Sequence, residues 1–157
     1  MENKKEKLED FKTAISSTVR SLSNSQEIEI SFGNQAIKSS KNSIRLPDLE
    51  QGSNKLNYEK IRAIADSKSL NLRFSDVKTL KKYEPEGNIS KKLYSISEKI
   101  RCEKIGTSYF KGVKKNIEKY YYKRLSGLDL KSSEDKIIES FELSLIHISE
   151  PTRLSVI

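Results

Sequence analysis

Lys111, Lys114, Lys115, Lys119, Lys123 and Arg124 are interleaved with Tyr109, Tyr120, Tyr121 and Tyr122. That mixture suits a surface that binds anions, because ammonium and guanidinium groups pair with phosphates or carboxylates while phenol rings offer faces for stacking. These six cations are the candidate partner-binding residues. Tyr121 stands in helical register with Phe110, Val113 and Ile117, so that ring reads as core, and lysine on the opposite face is what a solvated helix carries. Residues 78–124 hold 14 Lys or Arg against 5 Asp or Glu, a local balance of +9 in a chain whose net charge is +8. A stretch of that kind favours an acidic partner: nucleic acid, an acidic protein segment or a membrane surface.

Other candidates for chemistry are weaker. Glu27 and Glu29 alternate on a strand-like segment and share its solvent face, which is a solvated polar edge rather than a general acid and base. Asp129 to Ser133 superficially follows a metal-ion-dependent adhesion pattern, but Lys131 stands where the first serine is required and would repel a divalent cation. Cys102 has neither a second cysteine nor a nearby histidine, so it reads as a small core or surface thiol. Phosphate-loop, nucleophile-elbow, HExxH and CxxC motifs are absent from the sequence. No catalytic, cofactor-binding or metal-binding residue is assigned.

These side chains must be positioned by a single domain, since 157 residues suffice for one core and not two of ordinary size. Leu8, Phe11, Ile15, Val19 and Leu22 predict a helix over 4–23. Segment 27–32 alternates in the period of a half-buried strand with Ile28, Ile30 and Phe32 inward, Gly33 and Asn34 supply a turn, and 43–46 alternates again before Pro47. A short β-hairpin is expected. Residues 48–56 read as a loop into a helix capped near Asn57 and carrying Ile61, Ile64, Ala65, Leu72 and Phe74, with a short helix capped at Ser75 and Asp76 after it. Pro85 and Gly87 end that unit. Ile89, Leu93, Ile96 and Ile100 predict a helix ending near Gly106, and Phe110, Val113, Ile117, Tyr121 and Leu125 predict the last long one, the two forming an antiparallel or kinked pair. The expected class is mainly α, over 4–125, with 126–142 as a linker or the start of a helix from Ser132. The core is expected from Phe11, Ile15, Val19, Ile30, Phe32, Ile61, Ile64, Leu93, Ile96, Ile100, Val113 and Ile117.

The segment 143–153, LSLIHISEPTR, matches codon for codon the in-frame translation of a common transposase sequencing adapter. Residues 143–157 are therefore expected to be a library scar, with the natural frame departing near Glu142, and His147 and Pro151 are excluded from functional reasoning. The start of the chain lacks the apolar region of a signal peptide, and no apolar run is long enough to span a bilayer. The expected location is the cytoplasm.

Several segments, in order, resemble the N-terminal region of the CobT subunit of the aerobic cobaltochelatase: 11–20 (FKTAISSTVR), 27–32 (EIEISF), 45–47 (RLP), 61–73 (IRAIADSKSLNLR), 85–87 (PEG), Glu98 with Arg101, 103–106 (EKIG) and 112–116 (GVKKN). The resemblance covers about residues 11–125. It implies an α-helical N-terminal domain in a bacterial, ATP-dependent complex that inserts cobalt into a corrin ring during cobalamin biosynthesis. In such a complex a large subunit holds the tetrapyrrole and an AAA+ subunit hydrolyses ATP; CobT is the companion of that ATPase. The complex uses ATP, magnesium and cobalt, none of which this region is expected to bind itself. An acidic linker and a von Willebrand A domain follow this region in the family, and none of their metal-binding residues maps here. Where the family pattern has histidines after the long helix, this chain has Ser75 and Leu80. Two other readings stand beside it: a basic helical nucleic-acid-binding protein, and an AAA+ adaptor for a client other than a corrin chelatase.

Overall fold

The computed structural model describes residues 2–34, 43–48, 56–125 and 133–148. Six helices and two short strands follow in the order α1 (Glu2–Ser23), β1 (Glu29–Phe32), β2 (Ser43–Leu46), α2 (Leu56–Phe74), α3 (Val77–Lys82), α4 (Asn88–Tyr109), α5 (Lys111–Leu125) and α6 (Ser133–Ile148). The molecule is mainly helical with a small β element.

Helix α1 forms where the apolar spacing of Leu8, Phe11, Ile15, Val19 and Leu22 predicts it. Asn24 ends it in the left-handed region (φ 56°), its N–H donating to the Ser21 carbonyl while the Ser25 N–H reaches Arg20. That pair of bonds closes the helix C-terminus, and asparagine tolerates the backbone conformation better than most side chains. Ile15 and Val19 are fully buried with Ile28, Phe32, Ile44, Leu46, Ile61 and Ala65, and Leu8, Phe11, Ile30 and Ile64 pack around them. Phe11 meets Tyr58 edge to face, with centroids 4.6 Å apart.

The two strands do not form a hairpin. They run parallel, with Glu29, Ile30, Ser31 and Phe32 opposite Ser43, Ile44, Arg45 and Leu46. Parallel pairing sets Phe32 beside Leu46 and Ile30 beside Ile44, so that Ile44 and Leu46 are buried with Phe32 while Arg45 points out.

Helix α2 is the centre of the molecule. Its Ile61 and Ala65 belong to the first cluster, while Leu70 belongs to a second with Leu22, Val113, Ile117 and Tyr121. Asp76 caps α3 as expected, accepting from the Lys78 N–H at 3.0 Å and the Thr79 hydroxyl at 2.7 Å. Gly106 does not end a helix. It lies inside α4 against Leu70, where a Cβ would fall 2.3 Å from the Leu70 Cδ2; only glycine lets α4 approach α2 so closely. The break comes at Phe110, whose backbone is extended (φ −118°, ψ 90°), so α4 and α5 form a kinked pair joined by one residue.

The expected core also shifts. Leu93 and Ile96 are only half-buried, and their place is taken by Leu70, Ile44 and Leu46, which are 0%, 3% and 1% exposed. The helix expected from Ser132 starts at Ser133, and it does not stop at Glu142: α6 continues through 143–148, with Ile146 packed against the second cluster. Ile138, Phe141 and Leu145 keep helical spacing, which explains the continuation. Expectations placed on 126–132, on 149–157 and on most of the loop at 48–56 lie outside the described residues.

Candidate partner interface

Val113, Ile117 and Tyr121 recur every four residues along α5 and face inward, which turns the lysines outward. The six candidate cations then divide by what each touches. Lys111 and Lys115 are exposed. Lys114 reaches Glu118 one turn on at 3.6 Å, an exposed pair of small energetic weight. Lys119 and Lys123 converge on Glu59 of α2, Lys119 at 2.5 Å, and their hydrogen bonds hold the Glu59 carboxyl down at about 2. They tie the end of α5 to the start of α2.

Arg124 is placed differently from the sequence expectation. Its guanidinium is mostly covered and pairs with Glu139 and, at 2.6 Å, with Glu142 of α6. Glu142 is buried and also takes Lys99 of α4 at 2.8 Å. Burial works against its charge, but Arg124 and Lys99 outweigh it and hold the Glu142 carboxyl below its usual range. Arg124 therefore latches α6 to α4 and α5, and of the six candidate cations Lys111, Lys114 and Lys115, in the first half of α5, are those with no ion pair to another described helix.

The polar seam continues inward to residues that periodicity alone does not single out. Glu103 of α4 is 5% exposed; it accepts from the Ser67 hydroxyl at 2.5 Å and the Tyr121 hydroxyl at 2.9 Å. Asp66 of α2, 1% exposed, accepts from Asn116 at 2.7 Å and Arg62 at 3.2 Å. The signal for both was present: Asp66 follows Ala65 on the buried face of α2, and Glu103 falls three residues after Ile100 on that of α4. Beside Glu103 a groove of about 290 Å³ opens between α2, α4 and α5, lined by Ile64, Ser67, Asn71, Lys99 and Tyr120 among others. Cys102 is buried, and that burial first pushes its thiol up to about 12, which makes it an inert core group. Among the described residues no cluster of three or more His, Cys, Asp or Glu is placed to hold a metal, and no helix is long and apolar enough to cross a membrane.

Burial raises the Glu103 carboxyl above its ordinary range, with Lys99, Ser67 and Tyr121 opposing. Its folded-state value exceeds the unfolded one, so the associated stability is fully present below the unfolded value and is lost as pH rises through the folded one. Glu103→Gln, which stays neutral, should differ least from the parent in acid and gain on it towards neutral pH. Thermal melts of both proteins across that range check this; a pH-independent difference would remove the assignment.

A family model described as "Cobalamin biosynthesis protein CobT" matches residues 5–140. The chain belongs to the CobT family. The match extends the resemblance read from segments 11–125 across α1 to the first half of α6, and includes Arg124, Glu139 and the aromatic junction at Phe110. A CobT-family chain has a role in cobalamin biosynthesis as one component among several, which suits a molecule whose distinctive surface is a cationic helix face. No solved structure matches it.

Proposed function

We propose that this chain is a non-catalytic scaffold of an ATP-dependent cobaltochelatase, holding an AAA+ ATPase subunit and a large tetrapyrrole-binding subunit in one cytoplasmic assembly. The family match over 5–140 carries the reading. The structure supports it with a compact helical body and exposed cations at Lys111 and Lys115, which favour encounter with an acidic protein face. The assembly would use ATP with magnesium and take cobalt and the corrin as substrates, and corrin binding belongs to the large subunit.

Size-exclusion chromatography of the purified chain with the two other subunits tests the proposal. The expected result is co-elution with the AAA+ subunit, and ATP hydrolysis only in fractions containing that subunit. Independent elution from both subunits, or ATP turnover by the chain alone, would refute it. Tight co-elution with an AAA+ protein of another pathway would transfer the scaffold role to a different client.

A further inference from the structure

The elbow where α4 meets α5 carries an aromatic platform rimmed by cations. Tyr109, 72% exposed, lies nearly parallel to Phe74 of α2, with centroids 6.5 Å apart and planes at 19°. Phe110 leans against Tyr109 at 6.5 Å. The Arg73 guanidinium sits 5.6 Å from both the Phe74 and Phe110 ring centres, and its Nη1 donates to the Leu22 carbonyl at 3.1 Å. From the other side, Arg101 donates to the Phe74 carbonyl at 2.7 Å. The platform is thus anchored to three helices before anything binds.

One phenol face, backed by Phe74, is left to solvent, and Val77, 58% exposed, follows Phe74 at the start of α3. Lys111 comes directly after Phe110, and Lys115 lies one turn further along the same face of α5; neither forms an ion pair among the described residues. A preorganised ring followed within two and six residues by exposed lysines fits a chain that brings one apolar side chain flanked by carboxylates. A nucleic-acid strand needs several free ring faces in sequence, whereas here the three rings close on one another and leave one. Glu59, Glu139 and Glu142 take up Lys99, Lys119, Lys123 and Arg124, so charge complementarity with an acidic chain falls on exposed cations such as Lys111 and Lys115.

We propose that this elbow docks an acidic polypeptide segment, with one aromatic or aliphatic anchor on Tyr109 and its carboxylates on Lys111 and Lys115. The proposal rests on the scaffold role above and locates its contact. Fluorescence anisotropy of the whole chain tests it with three labelled probes: a short oligoglutamate with one central phenylalanine, the same peptide with alanine there, and an oligothymidylate of equal charge. The phenylalanine peptide should bind tightest. Tyr109→Ala should weaken it about fivefold and remove its advantage over the alanine peptide, and Lys111→Glu should weaken both peptides.

Lys7→Glu on α1 makes the same charge change at an exposed site elsewhere and should have much less effect. Equal losses from Lys7→Glu and Lys111→Glu, indifference to Tyr109→Ala, or tightest binding of the oligothymidylate would each overturn the proposal. The Tyr109→Ala chain is then run against the AAA+ subunit. Reduced binding supports both readings; undiminished binding sinks the elbow and leaves the scaffold role. If the parent chain ignores the subunit yet holds the phenylalanine peptide through Tyr109, the scaffold role fails and the elbow stands.

Discussion

Ile15→Asp is expected to abolish cooperative thermal unfolding. Ile15 is 0% exposed at the centre of the first cluster, facing β1, β2 and α2. A carboxylate there has no cation to pair with among its apolar neighbours, and its burial costs several kcal/mol against a total stability of ~5–15 kcal/mol. The same substitution at Ile96, which periodicity also assigns to the core, should do much less, because Ile96 is half-buried and an aspartate there can turn to water. Circular dichroism melts of the two variants check the ranking. A sharp transition at the parent temperature for Ile15→Asp would show that the first cluster does not hold the fold together.

Arg124→Ala is expected to lower stability by about 3 kcal/mol, since it removes the guanidinium from a buried carboxylate and leaves Glu142 with Lys99 as its one remaining cation beside the Tyr121 hydroxyl. The loss should appear as early detachment of α6, seen as faster amide exchange over 133–142 than over α2. Replacing the pair together, Arg124→Met with Glu142→Leu, should recover part of it, because the buried Glu142 carboxylate is gone, while Glu139 and Lys99, which lose their partners, are both partly exposed and can turn to water. Partner affinity should be unaffected by either change, in contrast to Lys111→Glu. Unchanged stability with a loss of partner binding would restore Arg124 to the interface where its sequence context puts it.

The contrast between Ile15 and Arg124 indicates what could be read from the chain. Helices with a regular apolar stripe, α1 and α5 above all, are legible because burial depends on spacing that the residues themselves carry. Boundaries were less so. Gly106 reads as a stop, yet its function is to admit Leu70, and nothing local distinguishes a glycine that ends a helix from one that lets two helices touch. Strand direction was not legible, because alternation is the same in parallel and antiparallel pairs. In the candidate interface, Lys111 and Lys115 lie exposed, as the inward register of Val113, Ile117 and Tyr121 requires, whereas Lys119, Lys123 and Arg124 are bound to Glu59, Glu139 and Glu142. Those partners lie 60 or more residues before them, or across the α5–α6 connection, so the pairs come from tertiary contact alone.

On the proposed function the chain occupies the CobT position in a cobaltochelatase. That placement is tested most directly by competition in a reconstituted cobalt-insertion reaction containing the large subunit, the AAA+ subunit and a CobT subunit of known activity. Excess chain should displace that subunit and suppress cobalt insertion, the suppression weakening as salt rises and disappearing with Lys111→Glu and Lys115→Glu combined. Undiminished cobalt insertion at saturating excess of a correctly folded chain would contradict it.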